Sequence, residues 1–335
     1  MGWTEIFKKA KLKADPRIRW FGKLPTYPDY YSSPADEDWV IEFNDFVLKG
    51  FEVLQRRMSG AQKSLPRLPV SACTIRLPKS EMTVFGTFLD FGGDMRGRPF
   101  PMCFYVGVPT SLWPGPDSDR LVSAARALRD LLSLRREVAS FINSPGRFET
   151  VFSDRQVDLS GIDDESVDDS WTQTASSIVF ADWFDSVRDG LKEKDSDTWL
   201  RLVRCWGDNL ATIDDKSFEP TMRFPLAMRM PLDVQIAGWL RWLESRMDLR
   251  RRMLSMIVSG DFDDSDGGLT VVAREIVPED FLLFAPGVAT LPYLDDLSAV
   301  ADGEEAEAAS GAPDDSSLRR GQIETWIAFV EEAPC

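Results

Sequence analysis

Residues 83–91 read Thr-Val-Phe-Gly-Thr-Phe-Leu-Asp-Phe, and residues 100–108 read Phe-Pro-Met-Cys-Phe-Tyr-Val-Gly-Val. Both runs are rich in β-branched and aromatic residues, which favour strands. The loop between them is polar and holds Gly92, Gly93, Asp94 and Gly97. Two strands flanking such a loop predict an antiparallel hairpin. Because the second run is apolar almost throughout, we expect it to be covered on both faces.

Amphipathic helices and further strands are predicted on either side of this hairpin. Residues 17–22 alternate as in a strand, and apolar side chains recur every three or four residues over 36–58 and 117–134, as in helices. The pattern predicts the following elements in the second half: helices at 181–191, 196–206 and 233–248, and strands at 223–230, 254–258 and 269–275. The sequence therefore predicts a mixed α/β protein.

Composition excludes several classes of function. Lys and Arg total 39 against 55 Asp and Glu, a net charge of −16, whereas a nucleic-acid binder needs a cationic face. The chain has 0 histidines, which excludes Ser-His-Asp and Cys-His catalysis and His-ligated metal sites. The four cysteines are far apart, so no metal or redox motif is predicted, and Cys73 and Cys103 are predicted to be reduced core thiols. We expect no cofactor.

The ends of the chain differ from its centre. Residues 1–16 form a basic amphipathic segment, whose residues 1–13 predict either weak contact with an anionic membrane or an acidic partner, or packing on the chain's own domain. Residues 298–317 are an acidic stretch, predicted to be a disordered linker. Residues 318–335 predict a C-terminal amphipathic helix that docks on its own domain or on a partner. With no signal peptide and no membrane span in the sequence, we expect a cytoplasmic protein.

Two short loop motifs are the best candidates for a functional site. The first is Gly22-Lys23-Leu24-Pro25, with Asp29 four residues further on. The second runs from Asp94 through Gly97 and Arg98 to Phe100-Pro101, where Gly97 can supply a positive φ and Arg98 can form a fork with a carboxylate. We expect Asp29 and Arg98 to meet at one end of the sheet. Such a pair serves either as part of a site or only to hold two loops together.

At these residues the chain resembles the TagF/ImpM family of type VI secretion accessory proteins. Trp20, Gly22, Lys23, Leu24, Pro25 and Asp29 match the first family motif, and Asp94, Gly97, Arg98, Phe100 and Pro101 match the second. The resemblance is strongest over residues 17–135 and loose over 223–290. It implies a three-layer α-β-α sandwich around a central, largely antiparallel or mixed sheet. Residues 17–297 would be this α/β domain, either undivided or split into subdomains 17–150 and 170–297.

The resemblance also implies a function. Family members are cytoplasmic, non-catalytic proteins that control assembly or firing of the secretion apparatus after translation, in association with a forkhead-associated scaffold protein. The leading hypothesis is therefore a regulator that acts through protein–protein binding, with the two motifs as its contact surface. One alternative is a structural adaptor of a contractile injection apparatus. The other is a phosphate-acting enzyme that uses Asp29, Asp94 and Arg98.

Overall fold

The computed structural model describes residues 14–34, 36–60, 65–112, 118–141, 144–159, 162, 174–192, 194–212, 220–247, 254–260, 266–285 and 294–296. Residues 1–13 of the predicted N-terminal segment 1–16, the acidic stretch 298–317 and the C-terminal helix 318–335 lie outside these residues. Residues 15 and 16 of that segment are instead the first two residues of a strand. Among the described helices, none has the length and the uncharged apolar run that crossing a bilayer requires.

The strands of the described residues form one sheet. They are β1 (Asp15–Lys23), β2 (Tyr30–Ser32), β3 (Ser71–Leu77), β4 (Met82–Leu89), β5 (Met102–Pro109), β6 (Thr221–Ala227), β7 (Ser255–Ser259), β8 (Asp266–Val272) and β9 (Leu294–Asp296). Their order across the sheet is β2-β1-β5-β4-β3-β7-β8-β6-β9. Neighbouring strands pair antiparallel except β6 and β9, which are parallel. The predicted mixed α/β fold with a largely antiparallel sheet is confirmed.

Helices connect the strands. They are α1 (Asp38–Gly60), α2 (Ser118–Phe141), α3 (Pro145–Ser153), α4 (Phe180–Val187), α5 (Ser196–Thr212) and α6 (Leu232–Glu244). A short 3₁₀ helix, Pro278–Phe284, packs against α1. The predicted helix over 117–134 is real but longer, since α2 continues to Phe141. Its last turns still face the core through Leu134 and Val138, but the charged residues between them interrupt the apolar run in the sequence.

Alternate residues of the central strands enter two separate apolar clusters. In β5, Met102, Phe104 and Val106 belong to a cluster that also contains side chains of α2, α4, α5 and α6. Cys103 and Tyr105 belong to a second cluster with side chains of α1 and the 3₁₀ helix. Successive side chains of a strand point to opposite faces of the sheet, so helices cover β5 on both faces. Every residue of β5 is buried, as predicted.

The predicted hairpin forms as the sequence indicated. β4 pairs antiparallel with β5 along its whole length, from Met82 opposite Pro109 to Leu89 opposite Met102. The first strand, β1, then pairs with the other edge of β5, with Phe21 opposite Cys103. As a result, the end of β1, the end of β4 and the start of β5 meet at one end of the sheet. This end of the sheet carries both sequence motifs.

Candidate functional site

Gly22 brings the first motif against the second. It lies in β1 with a φ of 151°, and a Cβ atom at this position would overlap the backbone carbonyl of Pro101. Only glycine allows this close approach of two backbones. The same holds in the second loop at Gly93, where φ is 105° and a Cβ would overlap the backbone of Arg98. Gly22 therefore lets β1 approach Pro101 of the second motif, and Gly93 lets the loop after β4 close on itself.

A buried ion pair joins the two motifs. The Nζ atom of Lys23 lies 3.4 Å from Oδ2 of Asp94, and their side chains are only 7% and 0% exposed. Removing two charges from water is costly unless each finds a partner, so such a pair is stable only with further hydrogen bonds. The ammonium of Lys23 also lies 4.9 Å from the centre of the Tyr30 ring, in a cation–π contact.

Asp94 receives those further hydrogen bonds from its own loop. The backbone N–H groups of Arg96 and Arg98 donate to Oδ1 at 2.9 and 3.0 Å, and Nε of Arg98 donates to Oδ2 at 2.7 Å. Burial alone would raise the pKa of Asp94. The hydrogen bonds from Arg98 and Arg96 and the charge of Lys23 outweigh that effect and lower the pKa to about 2. Asp94 is thus a fixed anion, not a proton donor or acceptor near neutral pH.

Arg98 ties this loop to the loop after β1. Its Nη2 atom donates to the carbonyl oxygen of Pro28 at 2.8 Å and lies 3.6 Å from Oδ1 of Asp29. The prediction that Asp29 and Arg98 meet is confirmed, but the predicted fork closes on Asp94 and Pro28, with Asp29 further away. A backbone hydrogen bond from Met95 to Tyr27, 2.9 Å long, adds a second connection between the loops.

The remaining motif residues shape the turns. Leu24 is fully buried, and its carbonyl accepts a hydrogen bond from the N–H of Tyr27, which turns the chain just after Pro25. Gly97 adopts a φ of 73°, as predicted, and donates its N–H to the carbonyl of Asp94. Leu24, Pro25 and Gly97 therefore shape the loops. None of these three residues carries a charged or nucleophilic group.

Exposed apolar side chains that the motifs did not reveal lie on the two loops and at the start of β2. Tyr27, Tyr30 and Met95 are 37%, 39% and 59% exposed. They belong to a small set of large apolar residues that are exposed within the described ranges, the others being Ile41, Val179 and Val277. We call Tyr27, Tyr30, Met95, Arg96 and Arg98 the loop surface. Tyrosine, methionine and arginine are residue types enriched in protein–protein interfaces.

A rigid aromatic base supports the loop surface. The ring of Tyr30 stacks on Phe21 with 5.4 Å between ring centres and meets the edge of Phe100 at 5.0 Å. The ring of Tyr27 packs at a tilt against Tyr31, with 5.0 Å between ring centres. Tyr31 belongs to the other apolar cluster from Phe21 and Phe100, so the two exposed tyrosines rest on opposite faces of the sheet. Side chains held by such contacts lose little conformational freedom when they bind a partner. An alternation pattern reports only burial in a strand, so single exposed aromatic residues in a loop give no periodic signal.

The carboxylates of the two motifs differ in their access to solvent. The Asp94 side chain is fully enclosed, and both of its oxygens accept hydrogen bonds. Over the ranges that the structure covers, no three His, Cys, Asp or Glu side chains are grouped so that they could hold a metal ion. Asp29 is the exposed carboxylate of the motifs, at 67%, and its pair with Arg98 is open to solvent.

Part of this chain is similar to a solved structure. No family model and no curated protein matches this sequence. Among solved structures, the chain is similar to PA0076 from Pseudomonas aeruginosa PAO1, with 17% identity and a TM-score of 0.34. The match covers 41% of this chain and 61% of that one, so the chain spans less than two thirds of the length of this neighbour. A likeness at this level carries no argument about function.

Proposed function

We propose that this protein is a regulatory binding module that docks a partner protein on the loop surface. The observation that carries the proposal is the exposure of Tyr27 and Met95 on two loops that hydrogen bonds hold together, with Tyr30 also exposed at the start of β2. A monomeric protein normally scatters its exposed apolar residues singly, and a group of them marks an interaction site. Arg96 adds a charged group at the rim that can pair with an acidic group of the partner, whereas Arg98 is already paired with Asp94.

The motif resemblance supplies the biological setting of this proposal. On that basis the protein is a cytoplasmic accessory protein of a type VI secretion system, and it controls assembly or firing of the apparatus after translation. Its partner is a forkhead-associated scaffold protein or another apparatus component. In this proposal the chain is a three-layer α-β-α sandwich, supported by the helical side chains in both apolar clusters.

The experiment measures binding of the purified full-length chain to the purified forkhead-associated scaffold protein of the same secretion system. We expect Met95→Ser and Arg96→Ser each to weaken the affinity about tenfold or more, as for residues at the centre of an interface. Ile41→Ser is the matched control. Ile41 is 53% exposed but lies on α1, outside the loop surface, so this variant should bind as the wild type does.

The outcomes separate the two parts of the proposal. If the wild type does not bind the scaffold and deletion of the gene leaves effector export unchanged, the type VI assignment is wrong. If the wild type binds but Met95→Ser and Arg96→Ser bind equally well, the partner contacts another surface. Thermal melting of each variant shows whether it is folded. Because both side chains project into solvent, we expect melting temperatures close to that of the wild type.

A further inference from the structure

The outer edge of β2 is an open strand edge. β2 is the last strand on its side of the sheet, and among the described strands it pairs with β1 alone. Just beyond β2, the N–H of Ser33 donates to the carbonyl of Trp20 at 2.9 Å. In an antiparallel ladder, residues that bond to the neighbouring strand alternate with residues that do not. The backbone N–H and C=O of Tyr31 therefore point toward β1, and those of Tyr30 and Ser32 point away from it.

This edge offers a short set of backbone groups to a partner. The N–H of Tyr30 is already bound by the side chain of Asp29, whose Oδ1 atom accepts it at 2.9 Å. The carbonyl of Tyr30 and the N–H and carbonyl of Ser32 receive no strand partner from the described part of the chain, and Ser32 is exposed. Pro28 and Pro34 lie on either side, and proline has no N–H with which to extend a ladder. An extended segment of another protein can therefore pair here, but only over a few residues.

Exposed tyrosines lie beside this edge on both faces of the sheet. The ring of Tyr30 stacks on Phe21 on one face, and the ring of Tyr27 packs against Tyr31 on the other. A strand that is added at an edge places its successive side chains on opposite faces of the sheet. One residue of such a strand would contact Tyr30, and the next would contact Tyr27. A helix docked on one face would reach only one of these tyrosines, so their arrangement favours an extended partner segment.

We propose that the partner protein binds by strand addition, with an extended segment of the partner pairing along the outer edge of β2 and continuing the sheet. The segment carries two consecutive apolar residues, one for each face, and an acidic residue beyond them that pairs with Arg96. Arg96 is exposed, and the hydrogen bond from Met95 to Tyr27 holds its loop beside the tyrosines. This inference rests on the proposed function, because it names the kind of partner segment that the loop surface binds.

Two variants at Ser32 separate the backbone of the edge from its side chain. Ser32→Pro removes the outward N–H, whereas Ser32→Ala keeps it and removes only the hydroxyl. Calorimetric titration measures binding of each full-length variant to the purified forkhead-associated scaffold protein. We expect Ser32→Pro to weaken the affinity about tenfold or more, because a carbonyl of the partner is left without a donor. Ser32→Ala should bind as the wild type does. Proline is tolerated where the N–H of an edge strand faces solvent, and thermal melting shows whether Ser32→Pro is folded.

A scan of the partner segment tests the same geometry with the wild-type chain. Short overlapping peptides that cover the scaffold sequence locate the segment that binds, by fluorescence anisotropy. The binding peptide is then synthesised with an N-methyl group on each backbone nitrogen in turn, which removes one donor at a time. In an added strand, every second N–H faces β2. We therefore expect the affinity to fall about tenfold at alternate residues and to change little at the residues between them.

The outcomes distinguish this inference from the proposed function. If Met95→Ser weakens binding of the scaffold but folded Ser32→Pro binds as the wild type does, the loop surface is the docking site and strand addition is wrong. Strand addition is also wrong if Ser32→Ala and Ser32→Pro have equal effects, or if the N-methyl scan shows no alternation. If neither the scaffold nor its peptides bind, the proposed partner fails, and this inference fails with it. If sedimentation shows a wild-type dimer that Ser32→Pro converts to a monomer, the edge binds a second copy of this chain, which overturns the proposal.

Discussion

Asp94 connects most of the contacts that hold the two motif loops together. Its oxygens receive three hydrogen bonds from its own loop, and Lys23 reaches it from the end of β1. A neutral amide in its place can still accept some of these hydrogen bonds but leaves Lys23 as a buried charge without an anion. We therefore expect Asp94→Asn to lower the melting temperature by several degrees at pH 7, measured by circular dichroism.

The same carboxylate predicts how this stability depends on pH. The pKa of Asp94 is lowered in the folded protein from 3.8 to about 2. A group with a lowered folded-state pKa stabilises the fold above its unfolded-state pKa, and this contribution is lost as the pH falls through the folded-state value. The stability difference between wild type and Asp94→Asn should therefore be constant above about pH 5 and shrink between about pH 5 and pH 2. Urea unfolding at a series of pH values measures it, and a difference that grows on acidification would contradict this account.

Lys23 gives a prediction with a built-in control. Lys23→Met removes the ammonium from a pair whose side chains are 7% and 0% exposed, and should cost roughly 3 kcal/mol of unfolding free energy. Lys49 pairs with Asp45 on the surface of α1, where both side chains are more than half exposed. Lys49→Met should cost less than about 0.5 kcal/mol. Urea denaturation measures the loss of unfolding free energy in both variants. Equal losses would show that the Lys23–Asp94 pair contributes no more than a surface pair.

At the scale of elements, long periodic segments were predictable from sequence and short ones were not. The β4–β5 hairpin and helices α1 and α6 follow patterns of burial that repeat over many residues. The strands β2 and β9 have only three residues each, too few for any alternation to show. These two strands form because a neighbouring strand has unpaired backbone N–H and C=O groups along its edge. Which strands lie at an edge depends on the order of strands in the sheet.

The sequence likewise predicted only part of the candidate site. The sequence places Asp29 and Arg98 in two loops at strand ends, and the structure brings them to 3.6 Å. The pairing of Lys23 with Asp94 depends on β1 lying beside β5, a contact between segments about 80 residues apart. Met95 and Tyr27 form a candidate interaction surface only because the fold brings their two loops together. The sequence alone therefore could not identify this surface.

Helix α1 provides a prediction at this scale. Replacing glycine by alanine inside a helix normally stabilises it by up to about 1 kcal/mol. At Gly50 we expect the opposite, because a Cβ there would press into the side chain of Phe281 in the 3₁₀ helix. Gly50→Ala should cost about 1–3 kcal/mol, as overpacking does. At Gly60 nothing lies within 4 Å of the added Cβ, so Gly60→Ala should cost nothing. Chemical denaturation measures both, and a stabilised Gly50→Ala would show that the two elements move apart easily.

For the whole molecule, the central question is whether residues 17–150 and 170–297 are one folding unit. Strand β3 from the first range pairs with β7 from the second, from Ser71 opposite Ser259 to Thr74 opposite Met256. The hydroxyl of Thr74 also accepts the N–H of Met256 at 3.2 Å. Helix α2 packs on α6 across the same boundary, where Arg129 pairs with Asp233. Separating the ranges would expose both apolar surfaces, so we expect one cooperative unfolding transition.

Natural probes in each range test this expectation. Tryptophan fluorescence reports mostly on the second range, which contains the fully buried Trp183, Trp199, Trp239 and Trp242, whereas the first range contributes the buried Trp20 and Trp39. Cys73 and Cys103 report on the first, because burial raises the pKa of both thiols and keeps them unreactive until the sheet opens. In a variant with Cys205 and Cys335 replaced by serine, thiol labelling and fluorescence should give the same urea midpoint. Two separate midpoints would establish two subdomains, and the β3–β7 ladder would then be an interface between them instead of the middle of a single core.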